Sequence, residues 1–301
     1  MCLTWFSGMG SGEPLVYIDG RFVPKSEAKV SVYDHGFLYG DGVFEGIRSY
    51  NGVVFKLREH IDRLYDSARA IMLEIPLSKE EMIRAVIETL RRNKLKNSYI
   101  RLIVTRGVGD LGLDPRKCPK PSVIIIAEHL EPILGKKGAS LIFSSVRRDR
   151  VDATSHQIKS MNYLNSILAK LEAIRAGADD AILLDERGFV SEASAANLFM
   201  VNGETISTPP VSTGILPGIT RATVMELARK LGYTVQERNI TPVELMLADE
   251  VFLTGTGAEI VPVTEIAGRK LKKEAPGPVT VKIIEEFEKL KGDPSYGIPV
   301  E

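Results

Sequence analysis

The chain has 301 residues with 39 basic and 39 acidic side chains, a formal net charge of zero that excludes the footprint of a general nucleic-acid binder. Its 44% hydrophobic and 26% charged content excludes a disordered chain, and two cysteines, Cys2 and Cys118, exclude a disulfide framework and favour a reducing compartment. Glutamine appears only at Gln157 and Gln236, a composition that leans toward a thermophilic source.

Residues 1–14 are broken by Gly8, Gly10 and Gly12 and lack the basic start of a signal peptide. They read as an extension on a cytoplasmic protein, since apolar runs such as Val123 to Ala127 are too short to span a bilayer. Leu15 to Ile18, Asp19-Gly20 and Arg21 to Val23 predict a hairpin closed by a type I′ turn. A strand over Val43 to Arg48 runs toward a second such turn at Asn51-Gly52. Ile61, Leu64, Tyr65, Ala68, Ile71 and Met72 recur at helical spacing, which puts Arg58 in the first turn of an amphipathic helix. Ser78 and Glu81 form a capping-box pattern ahead of Ile83, Val86, Ile87 and Leu90. Strands over Tyr99 to Thr105 and Ser122 to Glu128 flank a loop rich in glycine and proline.

Length predicts about two domains. The aperiodic stretch 130–138 is the expected interdomain loop, between a small α+β domain over 15–129 and a larger one over 139–301. The larger domain should hold a strand over Ala139 to Val146, a helix over Met161 to Ala176 and a strand over Ala181 to Leu184. Phe189 to Ser191 leads into a hairpin of Asn197 to Val201 and Glu204 to Ser207 around Asn202-Gly203. Pro217 to Thr220 starts a helix ending at Gly232, Thr241 starts a short one, and Glu250 to Thr254 is a strand entering Gly255-Thr256-Gly257. Strands and helices do not alternate strictly, so the fold class is α+β rather than a doubly wound sheet.

Several motifs carry no chemistry. Gly107 to Gly112 matches G-x-G-x-x-G, but Pro115, Pro119 and Pro121 forbid the long helix whose N-terminus would hold a pyrophosphate. His35, His60, His129 and His156 lack metal-ligand spacing, so no metal is expected. Two features are receptive to an anion: the helix start at Gly218-Ile219-Thr220 and the Gly255-Thr256-Gly257 loop. An anionic cofactor such as pyridoxal phosphate needs such cradles together with a lysine and a ring-nitrogen acid. Taken alone, a threonine at a helix start is an N-cap, Gly-Thr-Gly is a turn, and Lys159 is a solvated charge.

Seven blocks in order add a stronger signal: HGFLYGDGVFEGIR (35–48), REHIDRL (58–64), YIR (99–101), K-x-x-x-Y (159–163), E-x-x-x-x-NLF (192–199), LPGITR (216–221) and GTGAE (255–259). From about Val16 to about Glu286 the chain resembles the fold-type IV pyridoxal-phosphate enzymes, most closely the branched-chain amino-acid aminotransferases. The resemblance implies a two-domain α+β fold with pyridoxal 5′-phosphate in the interdomain cleft. It implies Lys159 as the lysine joined to the cofactor and as proton carrier, Tyr163 at the ring hydroxyl, and Glu192 at the ring nitrogen with a depressed pKa. Leu216 would lie on the ring face, and Arg58, Gly218, Ile219, Thr220 and Thr256 would serve the phosphate.

For substrate it implies Tyr39, Phe44, Gly46, Arg48, Tyr99 and Arg101, with the Gly257 and Ala258 amides on the α-carboxylate. Leu111 or Leu113 would come from a neighbouring subunit of a homodimer or an assembly of dimers. The implied reaction is ping-pong transamination of branched-chain L-amino acids with 2-oxoglutarate. D-amino-acid and (R)-amine aminotransferases, aminodeoxychorismate lyase and a catalytically silent binding protein are the rivals. Three departures bear on pocket shape: residues 128–135 lack a tyrosine, Ala193 stands where glycine is common, and Gly257 stands where alanine is frequent.

Overall fold

Asp19 and Gly20, at φ 49° and 89°, reverse the chain between β1 (Leu15–Ile18) and β2 (Arg21–Pro24), as a type I′ turn requires. The computed structural model describes residues 12–131 and 138–301. After a short helix α1 (His35–Tyr39), a second positive-φ pair, Asn51 and Gly52, joins β3 (Gly42–Tyr50) to β4 (Val53–Phe55). Helices α2 (Leu57–Ala70) and α3 (Lys79–Asn93) follow, then β5 (Ser98–Thr105) and β6 (Ser122–Glu128). Ser78 accepts from the Glu81 amide, and Glu81 bonds back to the cap residue, so the capping box starts α3. Leu57, Ile61 and Leu64 of α2, with Met82, Val86 and Leu90 of α3, bury their apolar faces against Ile47, Ile100, Leu102 and Ile125 of the sheet.

The second half builds a mixed sheet. Strand β7 (Ala139–Arg147) pairs in parallel with β8 (Asp180–Leu184) across α4 (Leu164–Arg175), and β9 (Val190–Ala193) closes that edge. A hairpin of β10 (Asn197–Asn202) and β11 (Thr205–Thr208) leads to α5 (Ile219–Lys230) and β12 (Thr234–Glu237), which pairs in parallel with β11. After α6 (Pro242–Met246) come β13 (Glu250–Gly255), β14 (Glu259–Ile266) and the short β15 (Arg269–Lys270). The strand order is β12-β11-β10-β13-β14-β7-β8-β9, with β15 against β14.

Three expectations are corrected. Helix α7 (Pro278–Leu290) and then β16 (Gly297–Pro299) end the fold, and β16 pairs antiparallel with β4, giving the first sheet the order β16-β4-β3-β5-β6-β1-β2. Residues 139–301 are therefore not one self-contained unit. The helix expected from Met161 begins at Leu164 because the preceding segment is docked along β3: Phe44 N donates to Lys159 O and Met161 N to Gly42 O. The second-half hairpin turns at Gly203-Glu204, since Asn202 is still paired with Thr205. Most of the 130–138 loop lies outside the described residues, as do residues 1–11. Gly107–Gly112 forms no helix, and no helix among the described residues is long and apolar enough to cross a membrane.

Candidate active site

A cavity of about 580 Å³ opens where the two sheets meet, with Phe44, Gly46, Tyr99 and Arg101 on the first-sheet side. Lys159, Tyr163, Glu192, Leu216 and Thr256 face them from the second half of the chain. Docking of residues 159–161 on β3 brings the two walls together, and Ser67 of α2 accepts the Lys159 amide at 3.1 Å.

The Lys159 amine donates to the Tyr163 hydroxyl at 3.1 Å and sits 4.6 Å over the Phe44 ring. Burial, with the nearby Arg63 cation, pushes this amine down to about 8. Burial pushes the Tyr163 phenol up, so it stays protonated. Glu192, at the sealed end of β9, accepts from Asn197 Nδ2 at 2.9 Å and from the Leu216 amide at 3.2 Å. Arg148 NH2 stands 3.4 Å from its carboxylate. Burial raises Glu192 to about 7, outweighing Arg148 and the Leu216 amide; the depression expected of it concerns a carboxyl that faces a charged ring nitrogen.

The anion-receptive end is the start of α5. Gly218 is its N-cap and no side chain caps it. A Cβ on Gly218 would lie 2.0 Å from Asn197 Oδ1, so only glycine fits there. Ile219, Thr220 and, from the opposite loop, Thr256 line the same cavity. Thr254 Oγ1, buried in the wall, has no hydrogen-bond partner among the described residues.

Arg58 does not reach this place. It is exposed on the outer side of α2, paired with Glu80 at 2.9 Å. The arginine of α2 that lines the cavity is Arg63, five residues on in the same block. Its guanidinium is clamped bidentately by Glu45, Nε to Oε1 at 2.7 Å and NH2 to Oε2 at 2.8 Å, and NH1 donates to Pro217 O at 3.0 Å. His60 Nδ1 bonds the same carboxylate at 2.7 Å. Burial alone would raise Glu45; Arg63 and His60 overcome it and hold the carboxyl down to about 2. Sequence reasoning passes over Arg63, Glu45, His60, Arg148, His156 and Asn197. A usable signal exists for the α2 set: His60, Arg63 and Ser67 recur at i, i+3, i+7, a polar stripe beside the apolar face.

Four other expected site residues stand outside the cavity. Tyr39 packs edge-on against His35, and its hydroxyl donates to Leu111 O at 2.5 Å. Leu111 and Leu113 are exposed in the same loop. Arg48 is buried and donates to four backbone carbonyls, those of Leu130, Glu131, Thr256 and Gly257. Gly46 does line the cavity, and a Cβ there would lie 2.3 Å from the Tyr99 hydroxyl.

Comparison with known proteins agrees with this geometry. Residues 42–266 match the family model described as amino-transferase class IV. A putative branched-chain-amino-acid aminotransferase of Methanocaldococcus jannaschii is 55% identical over 285 residues, covering 95% of this chain and 98% of that protein. The crystal structure of the Escherichia coli branched-chain amino acid aminotransferase superposes with a TM-score of 0.93 at 35% identity, covering 97% of this chain and all of that one. The branched-chain amino acid aminotransferase of T.th., complexed with N-(5′-phosphopyridoxyl)-L-glutamate, superposes with a TM-score of 0.90 at 40% identity, covering 98% and 100%.

Proposed function

The chain belongs to the class IV aminotransferases, and from that premise we propose that it moves the amino group of leucine, isoleucine or valine, in the L form, to 2-oxoglutarate in ping-pong order. One observation carries the substrate choice. Arg101 lies 4.5 Å over the Phe44 ring and donates to the Tyr99 hydroxyl at 3.1 Å, so one wall offers an apolar face and a guanidinium together. Such a wall accepts an aliphatic side chain in one half-reaction and a distal carboxylate in the other.

The family implies pyridoxal 5′-phosphate, and the residues fit it. The site offers an amine of lowered pKa, a buried carboxyl, an uncapped helix start with a clamped arginine, and a wall hydroxyl without a partner. On this reading Arg63, Thr220, Thr256 and the Ile219 amide hold the phosphate, while Glu192 faces the ring nitrogen. Tyr163 serves the ring hydroxyl and Leu216 the ring face. When bound, the cofactor supplies a carbonyl that takes up the amino group and a conjugated ring that accepts an electron pair. Lys159 holds the proton that leaves the substrate Cα, and a pKa of about 8 keeps part of it in the basic form near neutrality. A cation set against Glu192 would pull its proton off, so the acid answers the ring it meets.

A second copy of the chain is the expected partner. Leu111 and Leu113 are exposed and do not line their own cavity, and Leu164, Ile167, Leu171 and Ile174 leave an apolar stripe exposed on α4. The test of the reaction is a half-reaction panel read by cofactor absorbance. L-leucine and L-valine should bleach the holoenzyme, and D-alanine, (R)-1-phenylethylamine and aminodeoxychorismate should not. Fast reaction with D-alanine and none with the L-aliphatic acids would overturn the substrate choice.

A further inference from the structure

His156 lines the cavity, is only 6% exposed, and its side chain makes no hydrogen bond among the described residues. An imidazole buried without a partner is costly, so what it faces matters. Its Nε2 stands 3.6 Å from Glu192 Oε1, just beyond bonding range. The same ring tilts against the Tyr163 ring, with centroids 5.2 Å apart. A turn at Ser155, whose carbonyl accepts the Ile158 amide at 3.1 Å, sets His156 just ahead of Lys159.

Glu192 is unevenly satisfied. Its Oε2 accepts from Asn197 Nδ2 at 2.9 Å and from the Leu216 amide at 3.2 Å, whereas Oε1 has only the longer approach of that amide, at 3.3 Å. Arg148 NH2 is 3.4 Å from Oε1, but the hydrogen bonds of that guanidinium go to Ala193 O, Ser166 Oγ and Asn165 Oδ1. Arg148 therefore supplies charge, and the directed donor for Oε1 is left to His156. Burial, with Arg148, Lys159 and Arg63 around it, pushes the imidazole down to about 2, so it is neutral. A neutral donor steadies a carboxylate without adding a positive charge that would repel a cationic ring opposite.

We infer that His156 is a positioning residue whose Nε2–H closes onto Glu192 Oε1 and thereby keeps the shared proton on the cofactor's ring nitrogen instead of on Glu192. This rests on the cofactor reading above, in which Glu192 faces that nitrogen. The proton has two homes, an N–H against a carboxylate or a bare nitrogen against a carboxylic acid. Each donor held to the carboxylate favours the first.

The test loads wild type, His156→Phe, His156→Leu and His156→Gln with pyridoxal 5′-phosphate isotopically labelled at its ring nitrogen. The readouts are the NMR shift of that nitrogen at one neutral pH, the cofactor Kd, and the KM and kcat for L-leucine. Phenylalanine keeps a ring against Tyr163 without a nitrogen, leucine removes the ring, and glutamine restores a donor. In the two apolar variants the balance should move about tenfold toward the bare nitrogen, as for loss of one hydrogen bond to a charged group, and kcat should fall while KM holds. Glutamine should return both toward wild type. An unchanged nitrogen shift in an apolar variant that binds cofactor overturns the inference. A glutamine variant that behaves like the apolar pair also overturns it, because lost packing then accounts for the effect. Loss of cofactor binding in both apolar variants overturns it too, as the mark of general disruption. A wild type that binds cofactor but does not react with L-leucine removes the substrate choice alone, since the nitrogen signal still reports on His156. A wild type that binds no cofactor removes the functional reading and the inference with it.

Discussion

Arg148 NH2 stands 3.4 Å from Glu192 Oε1, with both side chains sealed from solvent and Arg148 Nε left without a partner among the described residues. The same guanidinium donates to Ala193 O and Ser166 Oγ, so its position is set by backbone and helix rather than by the carboxylate. Removing one member of a buried pair strands the other. Arg148→Met should destabilise the protein at neutral pH by less than the roughly 3–5 kcal/mol of a fully ionised buried pair, because Glu192, held at about 7, takes up a proton instead. The loss should shrink at pH 5, where Glu192 is protonated and needs no cation. Urea unfolding at the two pH values checks this.

Glu192 also sets a pH dependence of its own. Its folded pKa, about 7, lies above the ordinary carboxylate value, so the folded state holds a proton that the unfolded chain has released. The stability this contributes is complete below the unfolded pKa and is lost as pH rises through about 7. Glu192→Gln removes the dependence. Measured without cofactor, the variant should gain on the wild type steadily between pH 4.5 and 7.

The two arginines of the REHIDRL block separate cleanly. Arg58 and Glu80 are both mostly exposed, and Arg58→Ala should change stability by no more than about 0.5 kcal/mol and leave cofactor affinity intact. Arg63→Ala should weaken cofactor binding by about tenfold to a hundredfold, the worth of a charge-assisted contact. Titration of the apoprotein with pyridoxal 5′-phosphate checks both.

Gly218→Ala tests the helix start. The new Cβ would meet Asn197 Oδ1 at 2.0 Å and push Asn197 off Glu192. Overpacking here should cost about 1–3 kcal/mol, and cofactor retention should fall with it. Thermal unfolding and dialysis measure the two effects.

Much of this is legible in one dimension because local rules and tertiary structure agree. The turns at Asp19-Gly20 and Asn51-Gly52 and the capping box at Ser78 need no distant partner. Lys159, Tyr163, Glu192 and Thr220 sit in short blocks whose order survives folding, and they line one cavity. What cannot be read is what depends on which way a helix faces or on a remote segment. Arg58 and Arg63 are both arginines on α2, and only the docking of α2 on β3 and Pro217 decides which one turns inward. Glu192 shifts upward because it is buried, a property its neighbours in sequence do not announce. Arg48 looks like a substrate ligand until four carbonyls from two distant segments are found around it.

The return of β16 to β4 has a consequence for synthesis on the ribosome. Until residues 297–299 emerge, β4 is a bare sheet edge, with its Val53–Phe55 backbone open to pairing. The first half of the chain, though made first, cannot close its own sheet. It must either wait for more than a hundred later residues or pair with something else, so nascent chains halted before β16 should be the aggregation-prone species.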